Sequence, residues 1–453
     1  MGAETDYGVI DRRVGLVGGT GLVVGNVIGI AIFVLAAPLT ADAGPSVVLA
    51  MLVAGVPLVF SLLTVLQLGG AIPVAGGTYV YGSRLVAPFW GFATPWVVVP
   101  GVWAGLLFTA HGFADYAGYF LQLPMETMMY AILATFLVVN LLGIRLVAWL
   151  QLGMVAVLVA GMLAFIVPGA LTADPGNFTP TFPEGLGPFV VAVVALHFPL
   201  RGFSMVIEIG EEIENPAKNI PRVLAISALV GLTLMVALLA VFVGVAGWQG
   251  VGDLDAAVAA VAGDFLPEPL VALVAVSALL GSLTSVNTTF ASYSRTIMRA
   301  GRDDVVPSGL ADLNDRFDTP HRAVLLLGVP PLVLVPFTPS PVVLSVALSL
   351  AILFAVFVGG LALWNLPRLF PQRYEHSLYR LPMPVLRVTA VGSVCSAILL
   401  WLALGTRLPR VAGAVFAWLC LGWVVFRLRV RRYRARGINL PERMRTLHDH
   451  ESG

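Results

Sequence analysis

Residues 15–39 read GLVGGTGLVVGNVIGIAIFVLAAPL. This apolar stretch is long enough to cross a bilayer as a helix, because about 20 apolar residues suffice. It also contains six glycines, although a glycine inside a helix costs about 1 kcal/mol relative to alanine. Two interpretations stay open. Gly21, Gly25 and Gly29 are spaced as in closely packed membrane helices; alternatively, the helix breaks at mid-depth and binds a solute with its freed backbone groups.

The composition of the 453-residue chain indicates a membrane protein. Hydrophobic residues make up 58% of it and charged residues only 11%, whereas soluble proteins carry about 25% charged residues. The alternating ten-residue strands of a membrane β-barrel are missing from the sequence. We therefore predict an all-α polytopic membrane protein whose partners are the lipid bilayer and a small-molecule substrate. The formal net charge of +1 favours no charged partner, and no nucleic-acid partner is predicted.

Apolar segments separated by proline, glycine or charge predict twelve transmembrane helices. They are residues 15–39, 45–69, 90–114, 124–143, 147–169, 187–209, 222–247, 267–299, 321–338, 341–366, 384–405 and 410–428. The predicted organisation is a cytoplasmic segment at 1–14, spans one to five over 15–169, spans six to ten over 187–366, two additional spans over 384–428, and a basic cytoplasmic tail over 429–453.

The basic residues predict the orientation of these spans. When the chain is threaded through twelve spans, all but three of the 26 basic residues fall on the side of the N-terminus; the exceptions are Arg201, Arg407 and Arg410. Because such residues concentrate in cytoplasmic loops, both termini are predicted to be cytoplasmic and the chain to lie in the plasma membrane. The basic tail is interpreted as a topogenic segment facing lipid head groups, with a regulatory tail as the alternative.

The sixth predicted span is interrupted like the first. Pro199 has no backbone N–H to donate, Gly202 follows it closely, and Arg201 lies between them. An arginine at membrane depth is a candidate functional residue. It either pairs with a carboxylate of an acidic solute or forms an internal ion pair with Glu208. Breaks in spans one and six are typical of a five-plus-five inverted repeat whose site lies between the broken helices.

The eighth span carries a dense cluster of hydroxyl groups, since residues 281–287 read GSLTSVN. Hydroxyls inside membrane helices commonly bond the preceding turn of their own helix. The alternative is that they supply hard oxygen ligands for a small cation.

Four stretches resemble the motifs of one transporter family. They are residues 25–33 (GNVIGIAIF), 73–81 (PVAGGTYVY), 211–222 (EEIENPAKNIPR) and 294–307 (SRTIMRAGRDDVVP). In order and in position relative to the spans, they resemble the amino acid-polyamine-organocation (APC) superfamily. The resemblance implies a leucine-transporter-type fold with discontinuous helices one and six. It also implies that the protein is no enzyme but a secondary active transporter of amino acids or related small organic solutes by alternating access.

The resemblance also implies the substrate-binding residues. Backbone groups of Gly29, Ile30 and Ala31 would bind a substrate carboxylate at the positive end of a half-helix. Span six would contribute Phe198 as an aromatic lid, together with Gly202, Phe203 and, if it contacts substrate, Arg201. Two positions depart from the family. A small or polar residue and then glycine are usual in place of Ile30 and Ala31, and a small or apolar residue is usual in place of Arg201.

The coupling ion implied by the resemblance is Na⁺, and no other cofactor is predicted. In sodium-coupled members of the fold, two span-one carbonyls and two span-eight hydroxyls hold the ion; the matching groups here belong to Gly25, Ile28, Thr284 and Ser285. The span-five lysine of some proton-coupled relatives is absent, because Lys218 is the single lysine. An all-oxygen site without a carboxylate suits a monovalent cation. An uncoupled amino acid or polyamine exchanger and a transport-inactive sensor remain alternatives.

Overall fold

The computed structural model describes residues 15–72, 77–142, 148–204, 213–314, 317 and 319–445. In these ranges the chain forms helices joined by loops. In chain order the helices are α1 (Leu16–Ile28), α2 (Ala31–Ala43), α3 (Ser46–Ala71), α4 (Gly77–Tyr81), α5 (Pro88–Ala117), α6 (Met125–Leu141), α7 (Ala148–Thr172), α8 (Leu186–His197), α9 (Pro216–Ala246), α10 (Ala257–Ala262), α11 (Glu268–Arg302), α12 (His321–Leu334), α13 (Pro341–Leu369), α14 (Pro371–Glu375), α15 (Met383–Arg407), α16 (Pro409–Ala435) and α17 (Leu440–Arg443).

The helices match the apolar segments of the sequence. Within the described residues, nine helical segments are long and apolar enough to cross a membrane, and three shorter apolar helices lie at Met125–Leu141, Leu186–His197 and His321–Phe337. The all-helical class is thereby confirmed. The count of twelve spans, the five-plus-five repeat and the domain bounds stay predictions.

The first predicted span lies at the centre of the molecule. It comprises α1 and α2, and 88% of its most apolar 18 residues are buried, against 11% for α16. Glycine residues in α1 make this central position possible, because they let helix α7 approach closely. A side chain at Gly25 would collide with Val155 of α7, and one at Gly21 would lie 2.6 Å from Leu152. The outer helices instead expose their apolar side chains, as expected of lipid contact.

Helix α11 connects the centre of the molecule to one of its ends. With 35 residues it is about 52 Å long at 1.5 Å per residue. It packs against α7, α5 and α1. Its middle therefore lies beside the central span, while its last turns extend to the loop that begins at Asp303.

Candidate functional site

The central span is interrupted between α1 and α2. Gly29 ends α1 with a φ of 45°, a backbone conformation that favours glycine. The N–H groups of Phe33 and Val34 then both donate to the carbonyl of Ile30, at 3.1 and 3.2 Å. Ile30 itself is in an ordinary helical conformation. A single glycine is therefore enough for the break, which explains why the unusual pair Ile30-Ala31 is compatible with it.

A break of this kind leaves backbone groups without helical partners. The last carbonyls of one helix have no N–H donor, and the first amides of the next have no acceptor, within their own helices. Here the groups concerned are the carbonyls at the end of α1 and the amides at the start of α2. Their partial charges are positive at the start of α2 and negative at the end of α1.

A second interrupted segment crosses the first in backbone contact. Helix α8 ends at His197 and continues as a 3₁₀ turn at Pro199–Ser204. A Cβ atom at Gly202 would lie 2.6 Å from the Cα and N atoms of Val27 and 2.7 Å from the carbonyl carbon of Asn26. Because these are all main-chain atoms, they cannot move aside cheaply. Only glycine fits at this crossing.

Helix α11 crosses the same break from another side. A Cβ atom at Gly281 would lie 2.5 Å from the carbonyl oxygen of Gly29, and one at Gly29 would lie 2.5 Å from the Oγ atom of Ser285. The hydroxyls of Thr284 and Ser285 donate to the carbonyl of Gly281, at 3.0 and 2.8 Å. These are bonds to the preceding turn of the same helix, as one of the two interpretations predicted. The oxygen atoms still keep lone pairs with which to accept or ligate.

Asn26 joins the three elements that meet at the break. Its Nδ2 atom donates to the carbonyl of Gly202 at 3.0 Å, and its Oδ1 atom accepts from the hydroxyl of Thr288 at 2.7 Å. The carbonyl of Gly202 can only accept, which fixes the orientation of the amide. Asn26 was not among the residues predicted to bind substrate or ion. The available signal was a single amide side chain in an otherwise apolar span.

These elements enclose a cavity of about 80 Å³. One water molecule needs only about 10–15 Å³ by a comparable measure, so the cavity has room for a small solute. It is lined by Asn26, Val27, Ile28, Gly29, Ile30, Ala31, Val102, Gly105, Thr109, Phe198, Pro199, Gly202, Ser285, Thr288, Thr289, Ser292, Tyr293 and Leu348. None of the described side chains in this lining is charged. The lining combines backbone of the central span, hydroxyls of α11 and apolar groups of α5 and α13.

Most residues predicted to bind substrate line this cavity. They are Gly29, Ile30, Ala31, Phe198 and Gly202. The ring of Phe198 stands edge-on to that of Phe108, with 5.0 Å between their centroids. Their roles in binding stay predictions.

The remaining two predicted substrate residues are Phe203 and Arg201. Phe203 is 1% exposed and does not line the cavity. A Cβ atom at Gly231 of α9 would lie 3.7 Å from the Phe203 ring, so this ring packs towards α9. The 3₁₀ turn directs it there, because successive side chains of such a turn point in different directions. The side chain of Arg201 and the whole of Glu208 lie outside the described residues, so the choice between their two interpretations stays open.

Two of the four residues predicted to bind sodium line the cavity, and two do not. Ile28 and Ser285 line it. Thr284 is 2% exposed behind it. The carbonyl of Gly25 accepts the N–H of Gly29 at 3.1 Å.

A buried ionic cluster lies where α11 ends, and we call Tyr79, Arg84, Arg299 and Asp303 the Asp303 cluster. The Oδ2 atom of Asp303 accepts from Tyr79 at 2.6 Å and from Arg84 at 2.8 Å. The side chains of both Arg84 and Asp303 are fully buried. Burial by itself raises the pKa of Asp303, but the charge and hydrogen bond of Arg84, the hydrogen bond of Tyr79 and the charge of Arg299 hold that pKa below its usual value.

The Asp303 cluster joins two of the motifs found in the sequence. Tyr79 belongs to residues 73–81, and Asp303 belongs to residues 294–307. The motifs are therefore in contact although more than 200 residues separate them. Comparison with known proteins adds the family: a family model described as amino acid permease matches residues 14–426. The chain belongs to this family. The predicted membership of the APC superfamily is confirmed, and this permease is a multi-pass membrane transporter of amino acids rather than an enzyme.

Individual relatives agree with this assignment. The permease is 32% identical over 324 residues to an uncharacterised transporter of Mycobacterium tuberculosis, covering 70% of this chain and 72% of the relative. It is 25% identical over 340 residues to the branched-chain amino acid permease BcaP of Bacillus subtilis, covering 70% and 73%. The solved structure of Mhp1, a nucleobase-cation-symport-1 family transporter in a closed conformation with bromovinylhydantoin bound, has the same fold. The TM-score is 0.58 at 16% identity, over 98% of this chain and 96% of Mhp1.

Proposed function

We propose that this permease is a secondary active transporter that carries an amino acid across the plasma membrane by alternating access. The observation that supports this most is the cavity at the interrupted span, whose wall includes six consecutive residues, Asn26 to Ala31. The first amides of α2 carry partial positive charge and suit a carboxylate. The last carbonyls of α1 carry partial negative charge and suit an ammonium group. An amino acid carries both groups on one carbon atom.

The other walls of the cavity accommodate the substrate side chain. Val102, Leu348 and Phe198 are apolar, while Thr288 and Ser292 offer hydroxyls. Among the described side chains of the lining, no charge is available to pair with a charged substrate side chain. The described side chains of this wall favour an uncharged amino acid; an acidic one would need the side chain of Arg201, which lies outside the described residues. Phe198 serves as the lid that separates the bound substrate from one side of the membrane.

Binding of amino acids to the purified permease tests this proposal. The twenty amino acids are added singly to protein in detergent, and thermal unfolding is followed; those that bind are then offered as radiolabelled substrates to proteoliposomes. We expect uncharged amino acids to raise the apparent Tm, since a ligand that binds only the folded state stabilises it. We also expect them to accumulate in the vesicles. Neither a Tm shift nor uptake with any amino acid would contradict the proposal.

We further propose that Na⁺ drives the uptake. The carbonyls of Gly25 and Ile28 and the hydroxyls of Thr284 and Ser285 would hold the ion. The donor chemistry fits, because all four are hard oxygen ligands. The close approach of Ser285 to Gly29 also brings a hydroxyl to the end of α1. When bound, the ion would add positive charge near the substrate carboxylate and hold α11 to the broken span.

Removing one of these hydroxyls is expected to weaken the dependence on sodium. For Ser285→Ala we expect the Na⁺ concentration that gives half-maximal uptake to rise at least about tenfold, which corresponds to about 1.4 kcal/mol. The matched control is Ser282→Ala, because Ser282 is fully buried in the same helix and its hydroxyl donates to the Ala278 carbonyl in the preceding turn. Uptake that ignores Na⁺ but stops when the pH gradient is collapsed would rule out sodium coupling.

A further inference from the structure

The C-terminal residues up to 445 pack against the loop that follows α11. Leu440 and Met444 are fully buried. They belong to the same apolar cluster as Tyr79, Val80 and Val305. The segment after α16 is therefore held by the body of the protein and does not extend from it over the described residues.

Two arginines, Arg429 near the end of α16 and Arg443 in α17, bond the same loop. Arg429 donates from Nε to the carbonyl of Asp304 and from Nη2 to the carbonyl of Val306, both at 2.8 Å. Arg443 pairs with the carboxylate of Asp304 at 2.8 Å and donates to the carbonyl of Arg302 at 3.3 Å. Each guanidinium group thus donates hydrogen bonds to main-chain carbonyls within residues 302–306.

The other arginines of the tail behave differently. Arg431, Arg432, Arg434, Arg436 and Arg445 are exposed, as is Arg443. The first five stay candidates for contact with lipid head groups, the role predicted for the whole tail. Arg429 and Arg443 differ from them because they bond protein, which favours the regulatory alternative for this part of the tail.

Two separate parts of the protein thus hold the loop. Asp303 is held by Tyr79 and Arg84 in the Asp303 cluster, and its neighbour Asp304 is held by the C-terminal segment. Asp304 has a φ of 60°, which is unfavourable for most residues with a side chain, although aspartate tolerates it better than others. A conformation of this kind persists only when its surroundings enforce it. Two arginines bonded around Asp304 supply that enforcement.

We propose that residues 429–445 form a latch that keeps residues 302–306 in place against α4 and thereby slows the opening of the Asp303 cluster during transport. This inference rests on the proposed alternating-access function. Asp303 lies about 16 Å along α11 from Ser292 at the cavity. Movement of α11 during transport must therefore displace the loop, and the latch resists that displacement.

The test measures first how fast the loop becomes accessible to a labelling reagent and then the rate of transport. A cysteine is introduced by Val305→Cys, at a position that is 1% exposed, after Cys395→Ser and Cys420→Ser have removed the native thiols. The labelling rate by a soluble maleimide is measured on full-length protein in detergent. Latch variants are Arg429→Gln with Arg443→Gln and, independently, Leu440→Ala with Met444→Ala. The matched control is Arg431→Gln with Arg434→Gln, which removes the same charge from exposed positions.

We expect both latch variants to label at least about tenfold faster than the parent and the control to label at the parent rate. In proteoliposomes we expect the initial uptake rate of the latch variants to rise several-fold. Labelling at the parent rate in both latch variants would overturn the proposal. Faster labelling with an unchanged uptake rate would overturn its regulatory part. Labelling does not depend on a substrate, so it gives an answer even if the proposed function is wrong.

Discussion

Replacement of Asp303 by asparagine is expected to lower the free energy of unfolding by about 3–5 kcal/mol, because it leaves the buried charge of Arg84 without its counter-ion. The two side chains are fully buried and 2.8 Å apart. Asparagine has nearly the same size as aspartate. The loss of stability is therefore due to the missing charge and not to a cavity. Thermal unfolding of the purified protein in detergent measures the effect as a fall in apparent Tm.

The control for this prediction is a second Asp–Arg ion pair of the protein, which is exposed to solvent. Asp312 and Arg322 are similarly close, at 2.7 Å, but each side chain is 55% exposed. Exposed pairs contribute only about 0–1 kcal/mol, so Asp312→Asn should change the Tm little. Equal Tm shifts for the two variants would show that burial does not govern the strength of the Asp303 pair.

The pH dependence of this pair follows from the sign of the pKa shift. The folded-state pKa of Asp303 lies below its usual value. The stabilisation is therefore complete above the unfolded-state pKa of about 3.9 and disappears only as the pH falls through the lower folded-state value. Between pH 5 and 8 the Asp303 pair is expected to contribute a constant amount to stability.

The second large effect is expected for Gly202→Ala, which should abolish both amino acid binding and uptake. The added Cβ atom would lie 2.6 Å from main-chain atoms of Val27, so the two interrupted segments must separate to admit it. Overpacking of this kind costs about 1–3 kcal/mol, occasionally more. The separation also stretches the hydrogen bond from Asn26 to the carbonyl of Gly202. Ligand-induced Tm shifts and uptake in proteoliposomes provide the measurements.

A glycine with free space for a side chain supplies the control for this substitution. A Cβ atom at Gly413 of α16 would have nothing within 4 Å. Gly413→Ala should leave transport unchanged and stabilise the helix by up to about 1 kcal/mol. A Gly202→Ala protein that binds and transports like the parent would mean that the backbone crossing is not required for function.

The interruptions were predictable because local residue types cause them. Gly29 permits the positive φ, and Pro199 removes a donor from the helix that ends before it. The apolar segments likewise predicted the helices, since length and hydropathy alone decide which segments suit a membrane. The four motifs predicted the family that the comparisons confirmed. Each of these features is encoded within a few neighbouring residues.

Features that depend on how distant helices are rotated were not predictable in this way. The bond between Thr288 and Asn26 joins residues 262 positions apart, and no local pattern encodes it. The direction of the Phe203 side chain depends on the geometry of the 3₁₀ turn. The basic tail was also only partly predicted, because the spacing of its arginines does not show which of them meet carbonyl groups.

The length of α11 gives its contact with the central span a mechanical consequence. Gly281 touches Gly29 near the middle of the helix, and Asp303 follows 22 residues later, about 33 Å away along the axis. A straight helix tilted by about 10° about that contact would swing its end through about 6 Å. This exceeds the 2.8 Å that separates Asp303 from Arg84. If transport proceeds by the proposed alternating access, helix α11 would act as a lever arm that converts a displacement of less than one atomic diameter beside the cavity into rupture of the ionic cluster at its tip.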